Sequence, residues 1–133
     1  MLKATDLTVA LENRPGTLAK ATEAIATSGA NIDGFCGSTD GGTPSVHFLF
    51  IRDAEKARGA LESAGFKVHR SREVALVDVD DKPGAAAKQF RKIAQQELNI
   101  DLAYLATNNR VAIGGGDPQK IWDALATEAR VTA

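Results

Sequence analysis

Residues 7–33 read LTVALENRPGTLAKATEAIATSGANID, and residues 75–101 read ALVDVDDKPGAAAKQFRKIAQQELNID. Pro15-Gly16 aligns with Pro83-Gly84, and Asn31-Ile32-Asp33 aligns with Asn99-Ile100-Asp101, both at an offset of 68. One offset at both ends of a segment means a structural unit written twice with nothing inserted between the matched ends.

Outward from this segment the pattern is that of alternating strands and helices. Leu7, Val9 and Leu11 alternate within 5–11, the period of a half-buried strand. Asn13-Arg14-Pro15-Gly16 breaks it. From Thr17 a helical stripe runs through Leu18, Ala21, Ile25 and Ser28, and Gly29 is placed to end it as a left-handed cap. Asn31 to Gly37 reads as a second strand, Thr39 to Pro44 as a hairpin turn and Val46 to Ile51 as a third strand. Asp53 is placed to cap a helix through Ala64, with Ala57, Ala60, Leu61 and Ala64 on its buried side. Gly65 stops that helix and Lys67 to Arg70 forms a short fourth strand, giving the order βαββαβ. The second copy repeats the order with strands Val74–Val79, Ile100–Leu105 and Arg110–Ile113, helices Gly84–Glu97 and Asp117–Thr127, and a short last strand near Arg130–Thr132.

Past the hairpin the matches Asp53/Asp117, Lys56/Lys120 and Leu61/Leu125 stand at an offset of 64, so four residues are lost, and the hairpin is where loss costs least. Along the helical stripe Leu18 becomes Ala86 while Thr22 becomes Phe90, bulk lost at one turn and regained at the next. The expected units are 1–71 and 72–133, joined only by Ser71, Arg72 and Glu73. A linker that short keeps the halves side by side and leaves room for one strand to run nearly straight into the next. Units of this size bury little core alone and are expected to lean on each other or on a second chain.

Composition narrows the function classes. A net charge of −1 gives no electrostatic reason for a polyanion partner. No stretch approaches a membrane span, and Asp6 and Glu12 interrupt the N-terminal apolar run, which does not read as a signal peptide. With one cysteine, Cys36, no intrachain disulfide forms, and a reducing cytoplasm is the expected setting.

The candidate site is the strand-to-helix corner, Asn13-Arg14-Pro15-Gly16-Thr17-Leu18 and its copy Asp81-Lys82-Pro83-Gly84-Ala85-Ala86. Proline fixes the turn, glycine lets a ligand come close to the backbone, and the helix start offers unpaired N–H groups to an anion such as a carboxylate. Asn13, Asp33, Asp81 and Asp101 can accept from the ammonium group of a bound amino acid. The competing reading is that Pro-Gly simply makes a good turn and the acids are solvated.

An (Asn/Asp)-(basic)-Pro-Gly corner between strand and helix, followed by Asn-Ile-Asp opening the next strand, resembles the ACT domain, and nearly the whole chain carries the resemblance, twice. The resemblance implies an α+β fold of two consecutive ferredoxin-like βαββαβ units, with antiparallel sheets and helices on one face of each. It implies regulation through a small effector, usually an amino acid, held between paired domains by the corner of one and the second strand of its neighbour. Carried over, the ligand-binding residues are Asn13, Arg14, Pro15, Gly16, Thr17 and Leu18 with Asn31, Ile32 and Asp33, and Asp81, Lys82, Pro83, Gly84 and Ala85 with Asn99, Ile100 and Asp101. The family favours a large apolar residue where the second copy has Ala86, which implies an altered second site or one that serves only as a packing partner. No enzyme or DNA-binding domain accompanies the repeat, so the chain looks like a free-standing tandem ACT protein, expected as a homodimer acting on a regulated partner.

Catalysis, cofactors and metals are not expected. Gly114-Gly115-Gly116-Asp117-Pro118 lacks the phosphate-loop lysine and reads as a tight connection with Asp117 as cap. No base is indicated near Cys36, and His47 and His69 lack metal-ligand spacing. Strand alternation is expected to split Asp78, Asp80 and Asp81 across two faces, leaving a solvated edge with one member facing a ligand. Trp122 is expected at a contact between units or chains. The βαββαβ order also fits RNA recognition, for which Phe48 and Phe50 are candidate stacking residues, while Val111 and Ile113 and the charge argue against it.

Overall fold

The computed structural model describes residues 1–40 and 43–127. The chain divides into two compact units, one of Ala4–Arg72 and one of Met1–Lys3 with Glu73–Ala133.

The first unit holds β1 (Leu2–Ala10, from Ala4), α1 (Thr17–Thr27), β2 (Gly34–Asp40), β3 (Thr43–Phe50), α2 (Ala54–Ser63) and the start of β4 (Val68–Asp78). β3 pairs antiparallel with both neighbours, with Leu7 opposite Phe48 on β1 and Cys36 opposite His47 on β2. The Ala10 amide donates to the Lys67 carbonyl (3.1 Å), tying β1 to the segment that enters β4. Alternation sends Leu7, Val9, Val46, Phe48 and Phe50 into one core with Ala21 and Ile25 of α1 and Ala57 and Leu61 of α2. Both helices therefore cover the same face.

The second unit holds the rest of β4, α3 (Ala85–Gln95), β5 (Leu102–Ala106), β6 (Arg110–Gly114) and α4 (Pro118–Ala126). β6 pairs antiparallel with β4 and β5, placing Ala75 and Ala103 on either side of Ile113. Ala75, Val77, Val111 and Ile113 share a core with Ile93, Ile121, Ala124 and Leu125. The architecture is α+β, with antiparallel pairing and four helices among the described residues.

Several expectations change. The fourth and fifth strands are one, β4, the continuity that the short linker left open, and it passes from the first unit to the second at Arg72/Glu73. The second unit takes in Met1–Lys3, and Lys3 places its ammonium 3.7 Å from Glu73 and 5.4 Å from the ring centroid of Trp122. Trp122 is partly buried against the core of its own unit. Phe48 and Phe50 are buried in the core, so neither ring is available to stack on a base. The strand expected near Arg130–Thr132 lies outside the described residues.

The strand register also relocates the lost residues. Leu7 opposes Phe48 and its copy Ala75 opposes Ile113, so the third strands match at an offset of 65 and the helices at 64. The hairpin accounts for three of the four lost residues, and the fourth falls between strand and helix. Phe50 then corresponds to Gly115, and Ala57 to Ile121. In the first unit the strand supplies the bulk and the helix is small; in the second the helix supplies it. A Cβ on Gly115 would stand 2.7 Å from Ile121 Cδ1 and 2.8 Å from the Asn99 carbonyl oxygen.

The other face of β1 carries Asp6, the buried charged residue among those described. Its Oδ1 accepts from the Thr8 hydroxyl (3.2 Å) and lies 3.0 Å from His47 Nδ1. A carboxylate withdrawn from water needs such partners to remain there.

Candidate functional site at the Pro-Gly corners

Both corners are built by the same hydrogen bonds. In the first, the Arg14 amide donates to the Glu12 carbonyl (2.9 Å), Thr17 to Arg14 (3.5 Å) and Lys20 to Gly16 (2.9 Å). In the second, Lys82 donates to Asp80 (2.9 Å), Ala85 to Lys82 (3.3 Å) and Lys88 to Gly84 (3.0 Å), each at the offset of 68. The basic side chain reaches back to the acid two residues earlier in both copies, Arg14 to Glu12 at 2.7 Å and Lys82 to Asp80 at 3.6 Å.

Glycine is required at both corners by conformation. Gly16 has φ 89° and Gly84 has φ 87°, in the left-handed region, and each is the residue before its helix. A Cβ at either would meet nothing within 4 Å, so the space beside both backbones is open. Neither helix start has a side-chain cap. Among the described residues, the amides of Leu18 and Ala19, and of Ala86 and Ala87, have no backbone acceptor. These are the orphan donors that a carboxylate satisfies, aided by the positive end of the helix dipole.

Cavities adjoin both corners. Beside the second lies one of about 570 Å³, bordered by Asp78, Asp80, Asp81, Lys82, Gly84 and Lys88. The three acids expected to separate thus border a single space. Beside the first lies one of about 350 Å³, bordered by Glu12, Arg14, Thr17, Lys20 and Lys67. The Thr17 hydroxyl donates to the carbonyls of Glu12 (2.9 Å) and Arg14 (3.2 Å), a brace that Ala85 cannot supply. Pro15, Pro83 and Asn13 are exposed at their corners.

The second group of expected ligand residues sits elsewhere. Asn31, Ile32 and Asp33 precede β2 and follow the far end of α1, whose 11 residues separate them from the corner by roughly 16 Å at about 1.5 Å per residue. The Asp33 carboxylate accepts from the Ile51 amide (2.8 Å) and from the Asn31 side chain (3.0 Å). Ile32 and Ile100 pack against their cores. Asn99 and Asp101 border a separate cavity of about 470 Å³ with Glu97, Asp117 and Lys120. Within each unit, corner and Asn-Ile-Asp segment do not converge.

The glycine run before α4 is a connection, as expected: Asp117 Oδ1 accepts from the amides of Gln119 (3.0 Å) and Lys120 (3.3 Å). Asp53 makes no such cap; its Oδ2 lies 3.4 Å from the Asn31 amide. The register sets His47 opposite Cys36, a neighbour that the spacing in sequence does not disclose, and the thiol donates to the Gly37 carbonyl at 3.6 Å. Among the described residues no group of three or more acids, histidines or cysteines is arranged to hold a metal.

No protein-family model matches the chain, and no curated protein matches it. Solved structures do. A protein from Bacteroides thetaiotaomicron superposes with a TM-score of 0.79 at 26% identity, over 93% of this chain and 87% of that one. The regulatory subunit of aspartate kinase from Thermus thermophilus gives 0.65 at 22%, over 92% and 89%. The corresponding subunit from Thermus flavus gives 0.67 at 21%, over 94% and 92%. The chain has the fold of these regulatory subunits. No helix among the described residues is long and apolar enough to cross a membrane.

Proposed function

We propose that this chain is a regulatory module of two consecutive ferredoxin-like ACT units, which binds an amino acid at a Pro-Gly corner and has no chemistry of its own. The observation that carries this reading is the corner itself. It is built twice by the same hydrogen bonds, with a left-handed glycine, an uncapped helix start and an adjoining cavity each time. A fold shared with regulatory subunits supports it. Bound effector closes over the corner and shifts the surface offered to a catalytic partner or to a second copy of the chain. Small units favour a homodimer, and a reducing cytoplasm suits a chain with one cysteine. The carry-over of Asn31–Asp33 and Asn99–Asp101 as ligand contacts is retained only as contacts made to a corner other than their own.

The test is a thermal-shift screen of the twenty amino acids. A ligand at about a hundred times its Kd adds roughly 2.7 kcal/mol, a rise of several degrees in Tm. An unchanged Tm with all twenty contradicts the proposal.

A further inference from the structure

The two corners share a backbone and differ in their surroundings. Leu18 is 42% exposed and Phe35 59% exposed. With Leu11, Pro44 and Val46 they border an apolar cavity of about 410 Å³. Leu11 also borders the cavity in which Arg14, Lys20 and Lys67 outnumber Glu12, the acid paired with Arg14. The first corner therefore has a cationic side and an apolar side that meet at one residue. The second has no such apolar side, and its Lys82 and Lys88 are outnumbered by acids. At the offset of 68, Leu18 and Phe35 correspond to Ala86 and Ala103, and three aspartates border the adjoining space.

We infer that the first corner alone takes a carboxylate bearing an apolar side chain, one molecule per chain. The carboxylate sits on the amides of Leu18 and Ala19 beside Arg14, and the side chain lies against Leu18 and Phe35. This rests on the regulatory reading above and names its ligand class. Cavities of this size suit a small molecule. A basic ligand is repelled by Arg14, Lys20 and Lys67, and an acidic one has to desolvate its second charge in the apolar half. The chemistry is shared by an apolar amino acid and by its 2-oxo acid.

Calorimetric titration of the full chain with leucine, phenylalanine and their 2-oxo acids separates the two sources, with lysine and glutamate as charged controls. Binding of either source at one per chain supports the inference, as does a loss of at least tenfold in Phe35→Ala and Leu18→Ala. Both side chains are exposed, so folding is not at stake. Leu105→Ala, an exposed site in the second unit, is expected to bind as the parent does. Binding of lysine or glutamate that Phe35→Ala leaves unchanged overturns the inference while the regulatory reading stands. Two molecules per chain overturns it, and so does self-association that Phe35→Ala abolishes without any bound ligand. No binding by any amino acid overturns both.

Discussion

Gly115→Ala puts a single methyl group where the second unit has no room for it. The new Cβ meets Ile121 Cδ1 at 2.7 Å, Ile121 Cγ1 at 2.8 Å and the Asn99 carbonyl oxygen at 2.8 Å. Overpacking of this kind costs about 1–3 kcal/mol. Ile121→Ala alone opens a cavity and costs about 2–5 kcal/mol. If the sites were independent, the double variant would lose the sum of the two. Ile121 supplies two of the three close contacts, so removing it relieves the side-chain part of the strain, while the clash with the Asn99 carbonyl stays in both backgrounds. The expected coupling is at least about 1 kcal/mol in favour of the double variant, against the few tenths seen for independent sites. It would reproduce in the second unit the direction of the first, where Phe50 on the strand and Ala57 on the helix share one core. Urea unfolding of all four chains measures it, with Trp122 emission reporting on this unit. Additive losses would refute the volume exchange between copies.

Three further outcomes are expected. Glu97 stands where the first copy has Gly29 and holds φ 57°; Glu97→Gly relieves a left-handed side chain and should stabilise by about 0.5–1 kcal/mol after the entropy of glycine is counted, as read from the denaturation midpoint. Asp6→Ala removes the buried acceptor beside Thr8 and His47 and leaves a gap, which should cost about 1–3 kcal/mol in thermal unfolding, a cost below 0.5 kcal/mol contradicting its role. Asp117→Ala removes a true cap and should cost about 1 kcal/mol, and Asp53→Ala less than half of that, because Asp53 makes no capping bond.

The repeat was legible because its signals are local. Alternation in Leu7–Val9, the stripe through Ala21 and Ile25, and the Pro-Gly break require no knowledge of neighbours, and the elements formed there. What depends on register was not legible. Asp6 and His47 are 41 residues apart and meet only because β1 pairs with β3 as it does. The split of the lost residues between hairpin and connection needed the pairing of both hairpins. Asn31–Asp33 looked like a strand opening; β2 begins only at Gly34, although the Asp33 amide already donates to the Leu49 carbonyl of β3 (2.8 Å) and its carboxylate accepts from the Ile51 amide. The fusion of two expected strands into β4 had its signal in the three-residue linker, which contains neither proline nor glycine to break it. The corner was visible as a turn, and its uncapped amides only as a possibility, since capping is settled by where Asn13 and Thr17 point.

The central claim, that a Pro-Gly corner is a ligand site, is tested most directly by following backbone amide resonances of the nitrogen-15-labelled chain as amino acids are titrated in. The account predicts that Gly16, Thr17, Leu18 and Ala19 move together and saturate. Saturable shifts confined to residues outside both corners, with Gly16 and Gly84 unmoved, would contradict it.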